Sequence, residues 1–426
     1  MTTHVIRQQS LHVEMAGTEA EGLALQQRIR GLCEYWLTPA IEEVLDRHSP
    51  PHDHLCIERL EIDLGSMTTN RLEHDLTCAV AQALEKWLRE HAPPRDFTTH
   101  PSANIQHKTK QYSISEAFVY FLETGRLPWS LKLPEGSTLE KVILNSWQEA
   151  KQSNLHPEAK KSDLHPEDDI LRQVLTDAKV RKRLVRQFSP LFLKTLLNRL
   201  APTEAKRMAD GAAGIFEERR LWEAEFARVA RLATSSPAAH EQHRSMMEEL
   251  LGSWQVLHPA AKEGFYIENA GLVLLHPFLP RCFVALGIAD QDTLLQPERA
   301  LCLLHYLNTG QTVPPEYELI LPKILCNMPL EVPVEANVEL TAAEKEEAAA
   351  LLEAVVRHWE ALRNTSIDGL RGTFLVRSGK VSLRDDGDWL LQVESKSYDI
   401  LLDNLPWSIG LIKLPWMERM LWVQWR

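Results

Sequence analysis

The sequence predicts an α+β fold, mainly α: an N-terminal β-α-β-α unit, a helical middle, and a C-terminal antiparallel β-meander with a Trp-rich tail. Three observations predict it. Apolar residues recur at helical spacing along most of the 426 residues, most cleanly in Leu72, Leu76, Ala79, Val80, Ala83, Leu84, Trp87 and Leu88. The period shortens to two in a few short windows near both ends. The 24 prolines cut the helical pattern into short, capped pieces.

Over residues 10–15, Leu11, Val13 and Met15 alternate with Ser10, His12 and Glu14, the period of a half-buried strand. Thr18 and Glu21 then form a capping box that opens a helix. Leu25, Ile29, Leu32, Trp36 and Ala40 continue one face, and Pro39 either kinks that helix or begins a second one capped by Thr38. Leu60, Ile62 and Leu64 alternate with Arg59, Glu61 and Asp63 as a second strand, stopped at Gly65. The two strands are expected to pair in parallel, with the first helix as crossover. Asn70 caps the next helix, which Pro93-Pro94 ends.

The boundaries expected from these signals are 1–92 for the β-α-β-α domain, 93–110 for a linker and 111–147 for a short helical unit. A polar linker at 148–168 follows, with a local duplication of Leu-His-Pro-Glu, then a helical region at 169–258. Ser189-Pro190 marks one helix start there. The final domain, 259–426, holds a helix over 342–363 and a three-stranded meander. Its strands are expected around Phe374 and Val376, Val381 and Leu383, and Trp389, Leu391 and Val393, with turns at Ser378-Gly379 and Asp386-Gly387. One echo links distant segments: Phe121-Leu122-Glu123-Thr124-Gly125 and Tyr306-Leu307-Asn308-Thr309-Gly310, each a helix closed by glycine with a proline beyond.

The formal net charge is −12, which gives no general reason to bind nucleic acid or an anionic membrane. The basic cluster Lys179, Arg181, Lys182, Arg183 and Arg186 reads as a solvated helix face. Residues 1–10 carry no apolar run, so no secretory signal is expected. The apolar stretch 269–289 contains His276, Pro277, Pro280 and Arg281 and reads as protein core, without stable membrane insertion. The six cysteines lie among apolar neighbours without a CxxC pair and read as reduced thiols.

Catalytic apparatus is not expected. GxxxxGK[ST], GxSxG, GxGxxG and HExxH patterns are absent from the sequence. His52-Asp53-His54 is a tight group, but a metal needs three or four converging ligands, so it reads as a turn. Cys302 and His305 share a helix face without a visible orienting group, and His276 and His305 read as core histidines. No catalytic, cofactor or metal residue is therefore assigned. The candidate partner-docking residues are Trp407, Trp416, Trp422 and Trp425 in the apolar tail, since Trp is enriched at interfaces. The same tail packed back on its own domain is the plainer reading.

Four stretches carry a family resemblance: Ile57-Glu58-Arg59-Leu60-Glu61-Ile62-Asp63-Leu64-Gly65, residues 268–280 (ENAGLVLLHPFLP), Tyr306-Leu307-Asn308-Thr309-Gly310 running on to residues 321–326 (LPKILC), and the closing Leu414-Pro415-Trp416-Met417. With these the chain resembles the tape measure proteins of contractile injection systems, relatives of extracellular phage-tail-like particles. The resemblance implies a structural, non-enzymatic assembly protein that sets inner-tube length. It implies inner tube, baseplate/spike and tube-terminator proteins as partners, with a homo-oligomer also open, and no cofactor. It implies a cytoplasmic location during assembly and then a place inside the particle. As one helix the chain would reach about 640 Å, whereas the prolines and strands point to folded domains. The alternative is therefore a globular adaptor or chaperone for tube or baseplate, without a literal ruler role.

Overall fold

The computed structural model describes residues 4, 6, 9–48, 53–57, 60–68, 71–91, 105–128, 131, 133–134, 136–153, 166–211, 219–233, 264–335 and 338–425. The chain divides into two compact units, residues 1–114 with 130–134, and residues 115–129 with 135–426. Mainly α structure with a smaller β component is what the sequence predicts and what the chain adopts.

In the first unit, α1 (Glu19–Leu32) opens on the expected capping box: Thr18 N–H donates to Glu21 Oε2 at 2.7 Å, and Glu21 N–H to Thr18 Oγ1 at 3.4 Å. A π-helical turn, Cys33–Leu37, joins it to α2 (Thr38–His48). Pro39 has no N–H to give, and the wider turn carries the chain past it. Thr38 sits inside the helical run and donates its hydroxyl to Cys33 O at 3.0 Å, so it is not a cap. Helix α3 (Leu72–His91) packs on α2 through Val44, Leu84 and Leu88.

The strand expectations here need correction. Residues 10–15 and 60–65 adopt no regular structure. Among the described residues the strands of this unit are β1 (Asp53–Ile57) and β2 (Ile105–Thr109), paired antiparallel, so β2 falls inside the expected 93–110 linker and residues 10–15 and 60–65 form no parallel pair. Leu11 and Leu64 pack against Leu32, Leu37 and Leu76, while Leu60 and Ile62 pack on the α2–α3 core. The alternation therefore reports which side chains face the core. It does not supply the neighbouring backbone that a ladder requires. Asn70 and the Leu-His-Pro-Glu repeat at 155–158 lie outside the described residues, as do Leu164 and His165 of the second repeat.

The second unit begins with the helical segment. It comprises the part of α4 (Lys110–Thr124) from Ser115 onward, α5 (Leu139–Ser153), α6 (Pro166–Val174), α7 (Ala178–Gln187), α8 (Pro190–Leu200), α9 (Pro202–Gly211) and α10 (Arg219–Ala233). Helix α8 starts as predicted, with Ser189 accepting from Phe192 N–H and Pro190 in the first turn. An aromatic knot closes the segment: Phe188 stacks on Phe192 at 4.4 Å, and Phe118 meets Phe192 edge-on at 5.6 Å.

The C-terminal segment is built around a five-stranded sheet in the order β3 (Phe265–Ile267), β6 (Gly379–Leu383), β7 (Trp389–Val393), β9 (Leu421–Gln424), β8 (Leu411–Ile412). Neighbours run antiparallel except β7 and β9, which are parallel. Between β3 and β6 lie a 3₁₀ helix (Ala270–Leu275), α11 (Leu279–Ala285), the short pair β4 (Ala289–Asp290) and β5 (Thr293–Leu294), α12 (Pro297–Thr309), α13 (Ile320–Leu325), α14 (Ala342–His358) and α15 (Ile367–Leu370). The expected meander forms through β6 and β7. Its first strand does not: Phe374 ends up in a π-helical turn, Arg371–Leu375, with Val376 as its cap, and β3 takes the place beside β6. Gly271 explains the choice, since a Cβ there would lie 1.8 Å from Phe374 O. The backbone of residues 374–375 is pressed against the 3₁₀ helix rather than against a strand.

Residues 270–275 are all buried. Among the described residues no helix is long and apolar enough to cross a membrane.

Candidate functional site

The four tail tryptophans lead to different places. Trp407 is half-buried, donates its indole N–H to Leu274 O at 3.1 Å and meets Phe278 edge-on at 5.2 Å. Trp416 is buried, donates to Leu325 O at 2.8 Å and stacks on Phe283 at 5.3 Å. Trp425 is buried beneath the Arg377 guanidinium and donates to Asp399 Oδ2 at 3.1 Å. Trp422 alone among the four stands on the outer face of the sheet, 37% exposed, with Arg384 over its ring at 5.0 Å and Asp388 accepting at 3.2 Å. Register places Leu390 and Leu411 on either side of it.

A second locus lies on α7. The basic cluster there is a solvated face only in part: Lys179 and Lys182 are exposed, while Arg183 is not. Arg183 is fully buried, with Glu316 accepting from its Nε at 3.0 Å. Its remaining N–H groups donate to the carbonyls of Leu122 (2.5 Å), Glu123 (2.9 Å) and Glu331 (2.7 Å). Glu316, also fully buried, accepts from Lys323 Nζ at 2.7 Å, and Lys323 continues to the carbonyls of Leu330 and Val332. Burial holds the Lys323 ammonium below its usual range, opposed by Glu316. Arg186 pairs with Glu298 and with Pro333 O, Gln187 donates to Val334 O, and Arg219 pairs with Glu335. Arg181 turns back to cap the carbonyls of Leu175 and Thr176. Phe121 and Tyr317 add an edge contact at 6.0 Å.

This seam joins the helical segment to the C-terminal segment, whose apolar core is made of its own residues. In the sequence Arg183 is masked by the run Arg181-Lys182-Arg183, although the apolar Leu184 and Val185 follow it directly. The available signal was Pro314-Pro315-Glu316, an acid held on a stiffened backbone between two helices.

The remaining candidates have structural occupations. Burial pushes the Cys302 thiol up to about 12, so it stays protonated, and a protonated thiol is a poor nucleophile. The side chains of Asp53 and His54 are not described, and His52 lies outside the described residues. Among the described residues no three His, Cys, Asp or Glu side chains converge as a metal site. His276 lies within 2.9 Å of Val273 O through Nδ1, and burial lowers its pKa.

His305 and Glu318 form a pair 3.5 Å apart with opposed titrations. Burial pulls His305 from 6.5 down to about 4, so this group costs stability as pH falls from 6.5 to about 4. Burial pushes Glu318 from 4.5 up to about 7, so this group costs stability as pH rises from 4.5 to about 7. Across the shared window the two oppose each other, and because the Glu318 side chain is 42% exposed it offsets only part of the His305 cost. Glu318→Gln removes one side, and this variant is expected to lose stability on acidification from 6.5 to about 4 more steeply than the parent. Urea titrations at a series of pH values check it, and parallel profiles for the two chains would refute it.

At these loci buried charges and indole N–H groups spend their hydrogen bonds on joining distant parts of one chain. The sequence profile of the contractile injection system tape measure protein family matches residues 3–258 and 233–425. The chain belongs to that family, and so is a tape-measure-like component of a contractile injection system. No curated protein and no solved structure matches it.

Proposed function

We propose that the chain is a non-enzymatic assembly protein that sets the length of the inner tube. The observation that carries this reading is the family match over both ends of the chain. In this reading it works in the cytoplasm during assembly and then sits inside the particle. Its partners are the inner tube, the baseplate or spike, and the tube terminator. Trp422, with Leu390 and Leu411 beside it, is the surface we assign to such contacts, because the other three tail tryptophans are committed internally.

A second reading is favoured by the seam. The longest described helix, α3, has 20 residues and spans roughly 30 Å. The charges joining the two segments hold the chain folded, as suits a globular adaptor that nucleates tube or baseplate. Deleting or duplicating residues 148–168 separates the readings. A ruler is expected to shift tube length in proportion, measured on particles by electron microscopy. Particles of unchanged length would reject the ruler and leave the adaptor.

A further inference from the structure

The sequence echo at Gly125 and Gly310 is a duplicated three-dimensional device. Helix α4 ends at Gly125 and α12 at Gly310, both glycines with φ +74°. Gly125 N–H donates to Phe121 O at 2.7 Å and Gly310 N–H to Tyr306 O at 2.8 Å. The preceding threonines turn back to Tyr120 O and His305 O, and each accepts the N–H of the residue after the glycine. Each helix end is then clasped by an arginine from a later helical turn. Arg183 donates to Leu122 O and Glu123 O; Arg371 donates to Leu307 O at 3.1 Å and Tyr306 O at 3.2 Å.

Both arginines take the carbonyl three residues before the glycine; Arg183 adds the one two before and Arg371 the one four before, and the copies differ further in how they are covered. At the first, the clasp is covered: a Cβ on Gly125 would lie 2.5 Å from Glu316 Oε1. That carboxylate arrives on a loop stiffened by Pro314 and Pro315 and neutralises Arg183. At the second, Gly310 and Gln311 are exposed, and Val313 beside them is 54% exposed. Arg371 is answered there by Asp368, at 3.2 Å, whose side chain is 92% exposed. Arg371 itself is 16% exposed, so the pair is open to water on the Asp368 side and holds that carboxylate weakly. The first copy shows what a complete clasp takes.

We propose that the Gly310–Arg371 end of α12 is a docking site for a glutamate carried on a proline-stiffened loop of another protein. The incoming carboxylate displaces Asp368 from Arg371 and covers Gly310, as Glu316 covers Gly125. This inference is independent of how tube length is set.

The test uses the full chain and a synthetic peptide of residues 312–319, the loop that fills the first clasp, followed by calorimetric titration. Saturable binding is expected, with the peptide bearing glutamine in place of Glu316 bound about tenfold more weakly. Asp368→Ala removes the competing carboxylate and is expected to tighten binding severalfold. Arg371→Gln is expected to abolish it; should that variant fail to fold, Asp368→Ala carries the test. Absence of saturable binding to both the parent and Asp368→Ala, equal binding of the two peptides, equal affinity of parent and Asp368→Ala, or binding that survives Arg371→Gln would each overturn the proposal.

Discussion

Glu316→Gln is expected to lower the unfolding free energy of the second unit by about 3–5 kcal/mol, the cost of leaving buried charges without their counter-charge. Glu316 is the carboxylate shared by Arg183 and Lys323, and all three side chains are almost wholly shielded from water. Glutamine keeps the shape and some hydrogen bonds but removes the negative charge. Arg183 cannot shed its proton, whereas Lys323 can, and burial already lowers its pKa. The deficit is therefore expected to shrink as pH rises and Lys323 becomes neutral in the folded variant. Urea unfolding near neutral and at alkaline pH checks both parts. A loss below about 1 kcal/mol would mean that the cluster behaves as a hydrated surface pair.

The second large effect is at Trp416. Its ring stacks on Phe283 and its N–H closes on Leu325 O, so truncation opens a cavity and strands a buried carbonyl. Trp416→Ala is expected to cost about 3–5 kcal/mol. Trp422→Ala is expected to cost within about 1 kcal/mol, since the ring is 37% exposed beneath a surface arginine and its partner, the half-buried Asp388, keeps the Met420 N–H. The contrast matters for any capture assay of tube protein. Loss of capture by Trp422→Ala with an unchanged melting curve reports an interface. The same loss by Trp416→Ala reports unfolding. Equal destabilisation by the two changes would contradict the packing described.

Much of the local structure was legible in the sequence because it is fixed over a few residues. The Thr18–Glu21 and Ser189-Pro190 helix starts involve groups within three residues of each other. The glycine-closed ends of α4 and α12 need only a positive φ at one position. The strands were harder. Alternation at 10–15 and 60–64 marked core-facing side chains without specifying a hydrogen-bonding neighbour, and the true partners, Asp53–Ile57 and Ile105–Thr109, are separated by all of α3. Near the C-terminus the same problem moved a strand from residues around Phe374 to Phe265–Ile267.

The sequence by itself determined the mainly helical class, the helix starts at Thr18 and Ser189, the glycine-closed helix ends and, through its motifs, the family. Tertiary structure alone decided the fate of the polar and aromatic groups. Arg183 reads as one of five basic residues on a helix, yet it is buried because Glu316 and three distant carbonyls converge on it. For Trp407, Trp416 and Trp425 the sequence leaves docking and packing on their own domain both open, and only the fold supplies the acceptor that each finds far away in the chain. The physical reason is common to both: a buried donor is stable only where an acceptor meets it, and acceptors brought together by folding leave no local periodicity to read.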